Sequence, residues 1–177
     1  MNVLLAWSSF YVMIGSSAAA LTGLMFVVIT LVNREMDPQR VGDGISTFST
    51  PTVAHFCTAL FVAAVLSAPW PSLLGPSVVL GLLGAFGVGY VLRVMHRTKH
   101  LTLYNADLED WIWYTLFPIV AYCAILVGGI LLASIPQQAL FVLAGGTTLL
   151  IFIGIRNAWD TVTFIAIGGP GAPPNSP

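Results

Sequence analysis

The stretch FYVMIGSSAAALTGLMFVVITLV (Phe10–Val32) carries no charge, and its polar side chains are all hydroxyls. A bilayer core about 30 Å thick needs about 20 such residues in a helix, because every backbone N–H and C=O inside it must be paired within the segment. This run is long enough and ends at Asn33-Arg34-Glu35 and Asp37-Pro38. It is read as a membrane span. Ala18-Ala19-Ala20 has the small side chains of a leader cleavage site, but no Lys or Arg precedes Arg34 and apolar residues continue from Leu21 to Val32, so a retained helix is expected.

Four further stretches meet the same test. Thr52–Leu74 follows Thr50-Pro51, which reads as a side-chain cap and a proline at the first helical position. Ser77–Met95 is the third span, and Trp111–Ala133, closed by Ser134-Ile135-Pro136, is the fourth. The fifth starts near Gln138, stays apolar to Ile155 and keeps helical character through Arg156 to Ile167. The expected fold is all-α, a polytopic transmembrane bundle of about five spanning helices in one domain over residues 1–168. The Pro/Gly-rich tail 169–177 has nothing to bury and is expected to be disordered. Between the second and third spans, Pro69, Pro71, Gly75 and Pro76 fit either a turn between two crossings or a re-entrant hairpin.

Composition agrees with the lipid reading. Hydrophobic residues make up 57% of the chain and charged ones 7%, against about 25% charged in a soluble domain. A net charge of -1 with scattered Lys and Arg offers nucleic acid no basic field, so nucleic-acid binding is excluded. Cys57 and Cys123 lie in apolar runs without a C-x-x-C pair and behave as small hydrophobes. Positive residues stay on the cytoplasmic side of short loops. Arg34, Arg40, Arg93, Arg97, Lys99 and Arg156 all fall on one side if the N-terminus is outside and the C-terminus cytoplasmic. Gly15, Ala19 and Gly23, and likewise Gly81, Ala85 and Gly89, recur at four-residue spacing, which predicts close approach of the first and third helices to neighbours.

The chemically able residues gather near the cytoplasmic level. His55 lies one turn into the second span, Glu109 and Asp110 open the fourth, and Arg156, Asn157 and Asp160 close the fifth. Ionisable groups cost about 2.5–3.5 kcal/mol at the bilayer centre and less toward its edge, so they tend to have partners. His55, Asp110, Asn157 and Asp160 are the candidate ligand, proton or cation-binding residues, with Glu109, Tyr114 and Arg156 in support. Asp160 is three residues from Asn157 and four from Arg156, within one helical turn of both. Asn157 and Asp160 continue a face bearing Gly146 and Ile153. Asp110 and Tyr114 share a face leading to Pro118, whose ring removes the hydrogen bond to the Tyr114 carbonyl and bends the helix. The plainer readings stand beside these: Trp111, Trp113, Tyr114 and Trp159 as an interfacial belt, Glu109 as a helix-dipole cap, and Arg156 as a snorkelling or Asp160-paired cation.

His55, Asp110 and Asp160 are suitable types for Zn, Mn or Fe, yet no diagnostic spacing such as H-E-x-x-H occurs. A haem between His55 and His96 or His100 is allowed by depth alone. No G-x-S-x-G elbow and no paired membrane aspartates point to hydrolysis, so no catalytic residue and no particular metal or cofactor is assigned. GIRNAWDTVT (Gly154–Thr163), TPTVAHF (Thr50–Phe56) and LEDW (Leu108–Trp111) resemble a group of small bacterial multi-span inner-membrane proteins without an assigned function. That resemblance implies a helical fold in a bacterial inner membrane and supplies no substrate. Three readings of function follow. The first is a non-enzymatic accessory or sensor whose polar cluster locks helices and whose surface meets the bilayer, a second copy or other membrane proteins. The second is a transport or permeation component for a proton, cation or small solute, and the third, least favoured, a metal or haem enzyme.

Overall fold

Among the described residues nearly all of the chain is helical, so its backbone groups pair within their own segments, as hydrocarbon surroundings require. The computed structural model describes residues 3–35, 38–98 and 112–168. Five helices run through them: α1 (Val3–Glu35), α2 (Pro38–Ser67), α3 (Leu74–Thr98), α4 (Phe117–Leu131), entered through a π-helical turn at Ile112–Leu116, and α5 (Pro136–Gly168). No strand occurs among the described residues. Four segments are long and apolar enough to cross a membrane: Val3–Thr30, Leu74–Met95, Ile112–Leu131 and Pro136–Asp160. The apolar part of α2, Pro51–Ser67, is shorter.

The expected spans locate the helices, but both ends of the second differ, since α2 stops at Ser67 instead of Leu74 and starts earlier than Thr52. Thr50-Pro51 does not open α2; the helix begins at Pro38 and runs through Pro51. A proline inside a helix removes one hydrogen bond, a loss membrane helices tolerate where neighbouring groups re-satisfy the freed carbonyl. α1 begins at Val3 instead of Phe10, and α3 at Leu74 instead of Ser77, with Pro76 in its first turn, where a backbone N–H would have no helical partner and its absence in proline costs nothing. The Pro/Gly-rich break between α2 and α3 is a short turn. Ala68 N–H bonds the Ala64 carbonyl at 3.1 Å, and the Trp70 indole donates to the Val65 carbonyl at 2.6 Å, folding its ring over Gly75. The tail 169–177 lies outside the described residues.

α5 is the central helix, packed against α4, α2 and, more lightly, α1. α1 lies on the outer side of α2, and α3 lies against α4 with only slight contact to α2. α3 therefore turns away from α2, the helix before it, and docks on α4, the helix after it, unlike a self-contained re-entrant hairpin. Leu4, Tyr11, Ala18 and Met25, seven residues apart, form the buried stripe of α1, joined by Ile14. The outward faces carry Leu5, Val12, Phe26, Leu82, Phe86 and Ile130, all well exposed, as suits a lipid-facing surface.

The small-residue stripes meet neighbours only in part. Gly15 faces Ala63, but a Cβ on Gly23 or Gly89 would meet nothing within 4 Å, and Ala19 and Ala85 are exposed. The close approach of α3 to α4 uses Gly81, Gly84 and Gly87, at three-residue spacing. A Cβ on Gly84 would collide with the Leu126 backbone, and one on Gly87 with the Tyr122 ring. At the far end Ser77 donates to the Gly129 carbonyl at 2.7 Å, so the two backbones touch along several turns. With no hydrophobic effect between helices in lipid, this contact rests on dispersion and close fit. Gly84→Leu is expected to lose at least about 3 kcal/mol, the upper part of the overpacking range, or to leave α3 undocked. Gly89→Leu should change stability little; thermal unfolding and size-exclusion profiles in dodecyl maltoside separate the two.

Candidate functional site

Phe56 of α2 packs where Gly154 of α5 leaves room; a Cβ at Gly154 would strike its ring. α2 and α5 run antiparallel, so this contact sets their register. One turn toward the C-terminal end of α5, Thr52 and Asn157 come to the same level, and both are buried. His55, next to Phe56, is 2% exposed and points toward α4. There its Nδ1 lies 3.0 Å from the hydroxyl of Tyr122, which is also 2% exposed. The Tyr122 hydroxyl in turn lies 3.4 Å from that of Thr58, and Thr58 donates to the Ala54 carbonyl at 2.8 Å.

Proton counting fixes a direction for this chain of bonds. Each hydroxyl has one proton, and the Thr58 proton is spent on Ala54. If Tyr122 donates to His55, the Thr58–Tyr122 contact has no proton. If His55 Nδ1–H donates to Tyr122 and Tyr122 donates to Thr58, every contact carries one. The second arrangement satisfies the whole series from ring to carbonyl. It ties α2 to α4, helices with few close backbone approaches of their own. Gly87 of α3 completes the enclosure by admitting the Tyr122 ring.

The remaining sequence candidates lie elsewhere. Arg156 and Asp160 form the expected i,i+4 ion pair at 2.7 Å, with side chains 36% and 34% exposed. The Arg156 guanidinium lies 5.8 Å from the Trp113 ring centre, and Trp113 packs edge-on against Phe117 at 4.9 Å. Asn157 follows Gly146 and Ile153 into the buried face as expected; Asp160 turns away from it toward the surface, and Trp159 is exposed. Near Pro118 the predicted distortion is a π-helical turn ending at Leu116, which absorbs the missing hydrogen bond by widening one turn, and Tyr114 lies within it, half-buried. Glu109 and Asp110 lie outside the described residues, as do His100 and the side chain of His96.

Among the described residues the polar contacts fall into the buried His55–Tyr122–Thr58 bridge and the half-exposed Arg156–Asp160–Trp113 group, with Asn157 buried on the inward face of α5. No cluster of three or more His, Cys, Asp or Glu able to hold a metal occurs among the described residues. Tyr122 and Thr58 were missed because they lie in plain apolar runs; the available signal was a tyrosine deep in a span, whose hydroxyl needs a partner. No protein-family model, curated protein or solved structure matches the chain.

The two groups should respond differently to mutation. Tyr122→Phe strands the His55 ring and should lower stability by about 1–2 kcal/mol, within the range for interhelical hydrogen bonds and buried unpaired donors. Asp160→Asn removes a partly solvated i,i+4 pair and should cost no more than about 0.5 kcal/mol. A denaturant titration in mixed micelles, with His55→Phe added to close a double-mutant cycle on Tyr122, measures both.

Proposed function

We propose that the chain is a non-enzymatic accessory or sensor component of a bacterial inner membrane, in which buried polar contacts hold the helices in one arrangement. The observation that carries this reading is the enclosure of His55 and Tyr122, each 2% exposed and bonded to the other across two helices. A group built to exchange protons or ions needs contact with water. Here the proton series ends on a backbone carbonyl in the same helix. Support also comes from the other end of the bundle, where Ser16, Ser17 and Ser67 face outward and Thr147 spends its hydroxyl on the Leu143 carbonyl. These hydroxyls line no route between helices.

In this reading the chain crosses the bilayer five times, with the N-terminus outside and the C-terminus in the cytoplasm. The 30 residues of α2 give a helix of about 45 Å, so its length beyond Pro51 completes a crossing that Pro51–Ser67 begins. The N-outside orientation puts all six Lys and Arg on the cytoplasmic side. The lipid-facing apolar surface is then the meeting ground with the bilayer and with other membrane proteins.

Reconstitution tests the choice between accessory and transporter. Vesicles containing the purified chain and a pH-sensitive dye, or a potassium or sodium indicator, should show no flux above empty vesicles under an imposed gradient. A flux that is present in the wild type and lost in a folded His55→Phe variant would reject the accessory reading in favour of transport. Photo-crosslinking residues placed at Phe86 and Phe26, both exposed, in living cells should give discrete adducts with membrane proteins.

A further inference from the structure

We propose that the groove between α1 and α5 is a binding site for one lipid acyl chain. The groove has a volume of about 660 Å³ and is lined by Trp7 and Phe10 of α1 and by Phe141, Gly145, Thr148 and Phe152 of α5. It lies on the opposite side of α5 from the face that meets α4, and shares no residue with the His55–Tyr122–Thr58 bridge. Its floor is open at Gly145, where a Cβ would meet nothing within 4 Å. Its walls are aromatic: Phe141 and Phe152 are 70% and 60% exposed. Trp7 meets Phe141 edge-on at 4.6 Å and Phe10 at 5.7 Å, so one end of the groove is closed by a bridge between the two helices.

The dimensions select the occupant. From Phe141 to Phe152 the helix rises about 16 Å, roughly half the 30 Å hydrocarbon core and hence one leaflet. The groove starts near the N-terminal ends of α1 and α5, where Trp7 has the depth of an interfacial tryptophan. An indole N–H at this level is a donor suited to an ester or phosphate oxygen of a headgroup. Thr148 can turn its hydroxyl onto the carbonyl four residues back, as Thr22, Thr58 and Thr147 do, so the deeper lining is apolar. A helix from a second copy would need small residues over several turns to approach within 8–10 Å. Phe141 and Phe152 stand out on either side of Gly145 and hold such a helix off, while a flexible chain passes between them.

The test uses the full chain purified in dodecyl maltoside from vesicles of phosphatidylethanolamine and phosphatidylglycerol. In native mass spectrometry the wild type should keep one phospholipid at collision energies that strip the rest. Gly145→Phe, which fills the floor, should reduce the retained fraction about tenfold with an unchanged unfolding midpoint, and Phe152→Ala should also reduce it. A wild type that keeps no phospholipid overturns the proposal whatever the variants do, as does equal retention by a folded Gly145→Phe. A second copy as occupant would appear as a disulfide-linked dimer of Phe141→Cys in the membrane that Gly145→Phe abolishes, and that result also overturns it.

Discussion

A peptide group inside hydrocarbon has no water to fall back on, and this constraint governs the rest of the molecule. It makes each crossing a helix, and it also removes the force that joins helices in water, since the surrounding lipid is as apolar as a leucine side chain. What remains is contact area and the occasional polar bond. α3 and α4 show the first: Gly84 and Gly87 give up side chains so that the Leu126 backbone and the Tyr122 ring can come against α3. α2 and α4 show the second, joined through His55 and Tyr122 where their backbones stay apart. Tyr122 belongs to both devices, its ring filling the space that Gly87 leaves and its hydroxyl reaching α2.

The same constraint separates the two polar groups by depth. A buried imidazole without a partner would carry the full cost of desolvation, so His55 is held by a neutral chain of bonds that ends on a carbonyl. Arg156 and Asp160 need no such shelter. They lie toward the end of the bundle with about a third of each side chain exposed, where an ion pair gains little and loses little. Charge is placed where water can reach it and neutral hydrogen bonds where it cannot.

Much of the architecture was legible in the sequence because its signal is length and apolar content, which a lipid solvent reads directly. The five helices, the inward face of Gly146, Ile153 and Asn157, and the Arg156–Asp160 pair all followed from spacing within one helix. What required two helices did not. The four-residue rows ending in Gly23 and Gly89 look like packing stripes, yet a Cβ on either glycine would meet nothing within 4 Å, and the working row in α3 is Gly81, Gly84 and Gly87. Pro51 looks like a helix start, but helix continues on its N-terminal side as well. The partner of His55 is 67 positions away, and a tyrosine in an apolar run does not announce which helix it will face.

Residues 144–149, AGGTTL, show why local reading stops short of function. Adjacent positions in a helix point about 100° apart, so a doubled glycine and a doubled threonine each serve two surfaces. Gly146 lies against the Ala121 carbonyl and Ile125 of α4, whereas Gly145 opens onto the lipid side. Thr147 is buried with its hydroxyl on the Leu143 carbonyl, and Thr148 lines the groove beside Trp7. The inner member of each pair is held by protein contacts, and the same substitution there would disturb the bundle. A Cβ on the outer glycine, Gly145, would meet nothing within 4 Å, so its small size has no packing role within the chain. The two glycines are therefore chemically alike and physically distinct: one allows a helix to approach, and the other leaves a space that only the surrounding membrane can fill.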